Sequence, residues 1–133
     1  MLRRLALAVL LATFAAPAWA CADIPVNARI VEGARFRVVA LSDPAPIPLN
    51  MPFALDIRIC DARMAELPRL TLVDAQMPAH RHGMNYTPKI VKKDWGVYRA
   101  EGLLLHMPGE WEFIFEFTGA DQPERLTFRI DAQ

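Results

Sequence analysis

Hydrophobic positions along this chain recur at every second residue through most of its length, and that period predicts strands, not helices. The clearest case is Trp111 to Thr118, where Trp111, Phe113, Phe115 and Phe117 alternate with Glu112, Glu116 and Thr118. In Phe53 to Cys60, Phe53, Leu55, Ile57 and Ile59 take one face and leave Asp56, Arg58 and Cys60 on the other. Arg35 to Leu41 presents Phe36, Val38 and Ala40 together, and Arg69 to Asp74 forms a further strand. Gly96 to Leu105 sets Tyr98 against Arg99 and Glu101, and Glu124 to Ile130 turns Leu126, Phe128 and Ile130 inward.

The connections are legible too. Asp43 to Pro52 carries four prolines, which cannot donate to a ladder, so it reads as a loop or an edge segment. The link from Asp61 to Pro68 has room for one helical turn, and Gly119 to Pro123 reads as a hairpin turn. Six or seven short strands at this spacing predict an all-β fold, a single immunoglobulin-like β-sandwich of about seven strands.

Residues 1–20 have a different pattern. Arg3 and Arg4 precede an apolar run from Leu5 to Ala16, and Ala18-Trp19-Ala20 places small residues at both cleavage-determining positions. This is the layout of a secretory signal peptide, with a core shorter than the roughly 20 apolar residues of a membrane span. The expected mature chain is the sandwich domain of residues 21–133, exported to the periplasm and without a transmembrane segment. Cleavage after Ala20 would expose Cys21, as in a lipoprotein, but the bulky Trp19 fits that signal poorly, so simple secretion is favoured. The only other cysteine is Cys60, and two cysteines in an oxidising compartment are expected to pair. Such a bridge would lie on the outside or edge of the sheet, on the face that Cys60 shares with Asp56 and Arg58.

About 113 residues then remain, the size of one domain. The full chain balances 15 basic against 15 acidic residues, and loss of Arg3 and Arg4 leaves a net charge of about −2. No Lys/Arg run appears, so nothing marks a nucleic-acid surface. The sole serine, Ser42, ends a strand, and neither an H-E-x-x-H helix nor a His/carboxylate triad is present. A blue-copper site is equally poorly supported, since Cys60 is followed by Met64 with no histidine between them. The chain is therefore expected not to be an enzyme.

What remains is a concentration of histidine and methionine. D-A-Q-M-P-A-H-R-H-G-M, from Asp74 to Met84, holds two of the three histidines, and L-H-M-P-G-E-W holds the third as His106 beside Met107. Imidazole and thioether are ligand types that suit copper, the thioether favouring Cu(I). If residues 80–84 are extended, His80, His82 and Met84 share a face while Arg81 and Gly83 point away, and the bend at Pro78 lets Met77 join them. Sandwich loops gather at the ends of the sheets, so the turn bearing His106 and Met107 could lie beside this cluster. Methionine also fills irregular core gaps, which is the plain alternative for Met77 and Met107. By that account Met84, beside Asn85 and Tyr86, is harder to explain as core.

The order M-P-x-H-x-H-G-M, then G-x-Y-x-A-E-G-L, then M-P-G-x-W before an aromatic strand resembles the YtkA-like domain and, more loosely, FixH-like proteins. The matching residues are Met77-Pro78, His80, His82-Gly83-Met84, Gly96, Tyr98, Met107-Pro108-Gly109 and Trp111, within about residues 35–130. The resemblance implies a small extracytoplasmic β-sandwich connected with copper handling or the building of respiratory oxidases. Its partner would be a periplasmic or membrane copper or respiratory protein. FixH-like proteins keep a membrane anchor, which the chain is expected to lack once its signal is cut. A metal-free interaction domain, docking a partner through the M-P turns, is the competing expectation.

Overall fold

The computed structural model describes residue 21 and residues 23–60, 66–119 and 122–133. The expected signal segment, the helical turn near residues 61–65 and the centre of the 119–123 turn lie outside the described residues. Among the described residues, nine strands form two antiparallel sheets and no helix occurs. Sheet one runs, edge to edge, β1 (Arg29–Glu32), β2 (Arg37–Asp43), β3 (Phe53–Cys60), β7 (Val97–Leu103) and β6 (Lys89–Asp94). Sheet two runs β5 (His82–Gly83), β4 (Arg69–Met77), β8 (Gly109–Thr118) and β9 (Glu124–Ala132). The expected β-sandwich is present, with nine strands instead of six or seven. The additions, β1, β5 and β6, are all edge strands, exposed enough that their sequences need not alternate.

The two inner faces meet as the alternation requires. Trp111, Phe113, Phe115 and Phe117 of β8 are all at most 1% exposed, and so are Leu55 and Ile57 of β3 opposite them. Phe113 meets Phe53 edge-on at 6.3 Å and stacks on Phe128 at 4.9 Å, while Phe36 meets Phe117 edge-on at 5.0 Å. Edge-to-face and offset contacts of this kind satisfy the ring quadrupoles as well as burying area.

Cys21 and Cys60 form a disulfide across 39 residues, with Cα atoms 5.5 Å apart. Cys60 pairs with Arg37 across the β2–β3 ladder, on the outer face of sheet one. That face is covered, since Asp23, Ile24 and Pro25 line a small cavity with Val39, Leu41 and Arg58. Cys60 is accordingly 1% exposed although it points away from the core. Closing a loop of this length restricts the unfolded chain by about 3–4 kcal/mol on the entropic account. Replacing both cysteines with alanine is expected to cost that order of stability, read as a lowered urea midpoint. Intact-mass measurement with and without reductant checks the premise, and two free thiols in protein purified without reductant would overturn it.

On the outer face of sheet one, Arg99 donates to Asp43 at 2.7 Å and to Asp56 at 2.9 Å, which holds its guanidinium charged even more firmly than usual. On sheet two Glu112 accepts from Gln76 at 2.9 Å and from Arg129 at 3.2 Å. The Gln76 hydrogen bond, with Arg129 assisting, holds the Glu112 carboxyl below the usual carboxylate range.

Candidate metal centre

At the end of the sandwich where β4 stops and β8 starts, three connections come together: residues 49–52, 78–81 and 104–108. The first is tied to the third by a parallel bridge between Leu49 and Leu105 and by Asn50 N–H donating to the Leu105 carbonyl at 2.8 Å. The second is the hairpin joining β4 to β5. Met77 pairs with His82, and the Met77 carbonyl accepts from the N–H groups of both His80 (3.1 Å) and Arg81 (2.9 Å). Arg81 completes the reversal with φ of 55°.

This hairpin corrects one expectation and supports another. His80 is not in an extended segment but in the turn, where its side chain is exposed. His82 and Met84 do share the inward face. Their cross-strand neighbours Met77 and Ala75 both face the core, and Met84 N–H donates to the Ala75 carbonyl at 3.1 Å. Their depths differ. His82 is half-buried at the rim, whereas Met84 is fully buried and Met77 is 2% exposed. Met84, expected to be hard to place as core, therefore lies inside it, in the same apolar cluster as Met77.

The imidazoles lie side by side. The His80 and His82 ring centres are 5.8 Å apart, and those of His82 and His106 are 5.1 Å apart. Two imidazoles on one first-row ion, with bonds of about 2 Å at a tetrahedral angle, bring their ring centres to about 5 Å. The His82–His106 pair matches that spacing. The arrangement is a row with His82 in the middle, and among the described residues no three His, Cys, Asp or Glu side chains close on a single point. Completion of a coordination sphere thus falls to thioethers or to rotation of the exposed His80.

His82 Nδ1 lies 3.1 Å from the Gly83 carbonyl. With the proton on Nδ1 donated to that oxygen, Nε2 carries the lone pair, which is how outer hydrogen bonds prepare a histidine ligand. Met107 is half-buried against the core beside His106. By residue type and ring spacing, His82 and His106 are the pair that could hold a metal ion.

Trp111 is the neighbour of this row that sequence reasoning placed only in the core. Fully buried, it meets His82 edge-on at 5.9 Å and His106 at 5.5 Å, and its Nε1–H donates to the Met107 carbonyl at 2.9 Å. The register that pairs Gln76 with Glu112 sets Met77 beside it on the sheet. The indole is thus the wall behind both imidazoles and the clasp on the loop that bears Met107. The M-P-G-x-W spacing carried that signal, since it puts the indole four residues after the carbonyl it holds. A cavity of about 510 Å³ opens elsewhere, along the β1–β9 side, and no histidine lines it.

Among the described residues no helix is long and apolar enough to cross a membrane. Compared with known proteins, the chain matches no family model, no curated protein and no solved structure.

Proposed function

We propose that the protein is a periplasmic copper-binding or copper-delivery module without catalytic activity of its own, built on a YtkA-like sandwich. The observation that carries the reading is the 5.1 Å approach of His82 and His106, from hairpin and loop segments 24 residues apart, with His80 at the flank. Three histidines are the chain's whole supply, and all of them come to one rim. His82 and His106 would hold the ion, His80 would close over it, and the half-buried Met107 would add sulfur. Bound copper would supply a soft, exchangeable cation for transfer to a copper or respiratory protein.

A second reading is a metal-free docking domain. The exposure of Pro52, Pro78 and Pro108 around the same rim favours it, since these would meet a partner first. Copper titration separates the two. Purified protein is expected to bind one Cu(II) per chain in competition with a chromophoric chelator, with quenching of Trp111 fluorescence. Binding should weaken on acidification, because an imidazole must be neutral to ligate a metal. Absence of stoichiometric binding at neutral pH would leave the docking domain.

A further inference from the structure

The chain contains a third M-P dipeptide, Met51-Pro52, outside both histidine segments. Its position follows from the chain path. Leu49 lies parallel to Leu105, Asn50 is hydrogen-bonded to Leu105 and turns with φ of 56°, and Phe53 then pairs with Leu103 running the other way. Met51 is therefore at the apex of a reversal laid against the segment that leads into His106. Met51 directly follows Asn50, which is hydrogen-bonded to the residue just before His106.

The methionines at this end are not equivalent. Met77 and Met84 are sealed in the core and Met107 is half-buried, whereas Met51 is 58% exposed. An apolar side chain this exposed on a turn contributes little to packing, so core filling does not account for it.

Resting on the copper reading, we infer that Met51 is the rim thioether that makes the site selective for Cu(I). Its sulfur donates a lone pair to an ion already held by His82 and His106. No electron is transferred and no proton is lost, because a thioether has none to lose. Sulfur is a soft donor that suits Cu(I), whereas imidazole serves both oxidation states, so the contribution of Met51 is specific to Cu(I).

The test is Met51→Leu, an apolar exchange on an exposed turn that leaves the fold in place. Under anaerobic conditions, competition with a chromophoric Cu(I) chelator is expected to show Cu(I) affinity falling by at least about tenfold, the scale of losing one supporting contact to a metal. Cu(II) affinity should be unchanged. With Ag(I) as a redox-inert stand-in, the Met51 ε-methyl resonance of the wild-type protein should shift at one equivalent. Wild-type protein that binds copper while this methyl stays still and the leucine variant keeps full Cu(I) affinity would overturn the inference alone. Wild-type protein that binds neither ion would overturn the copper reading and the inference together.

Discussion

Phe115→Ala is expected to lower the unfolding free energy by about 3–5 kcal/mol, while Glu116→Ala, one residue further along β8, changes it little. Phe115 is fully buried, pairs with Val73 of β4 and Leu126 of β9, and has the Phe128 ring at 5.5 Å. Its removal loses transfer free energy and leaves a void between two sheets whose backbones are locked by ladders on both sides. Glu116 faces solvent, with its carboxylate 3.6 Å from Arg125 and both side chains about half exposed. Pairs of that kind contribute about 0–1 kcal/mol. Total stability for a domain of this size is about 5–15 kcal/mol, so the phenylalanine variant should lose a large part of its urea midpoint. Equal shifts for the two variants would mean that β8 is out of phase with the core.

The joint replacement His80→Ala/His82→Ala is expected to abolish Cu(II) binding and leave the sandwich folded. His82 is the middle ring of the row, in contact with both other imidazoles, so its loss separates His80 from His106. The single variants should rank accordingly, with His82→Ala far more damaging than His80→Ala. Stability should hardly respond to the His80 change, because that side chain is exposed and the turn is held by backbone bonds to the Met77 carbonyl. Chelator competition beside circular dichroism reads both halves. Unchanged Cu(II) affinity in the double variant would exclude the imidazole row as the site.

The buried strands were legible because burial enforces alternation. β3 runs over Phe53–Cys60 as the pattern predicts, and the aromatic stripe of β8 is inward at every position. The edges were not legible for the converse reason. β6 is K-I-V-K-K-D, largely solvated, and its lysines suit an edge that must not recruit another strand. β5 has only two residues, defined by pairing with Gln76 and Met77 and by no pattern of its own.

The candidate site divides the same way. That His82 and Met84 share a face followed from local period, but how deep each lies did not, because depth depends on the opposite sheet. The meeting of His106 with His82 depends on β8 lying next to β4, and the place of Met51 on a bridge between Leu49 and Leu105. Neither relation is local in sequence.

Trp111 belongs at once to the core and to the imidazole row, and this couples two properties usually measured apart. The row exists only while the indole is seated, so an ion held there is a ligand of the native chain alone. At a free concentration one hundred times its dissociation constant, such a ligand adds about 2.7 kcal/mol to unfolding. The melting temperature of the protein would then report the copper activity of its surroundings. A chain starved of metal would also be the form most open to proteolysis, making its abundance a record of supply.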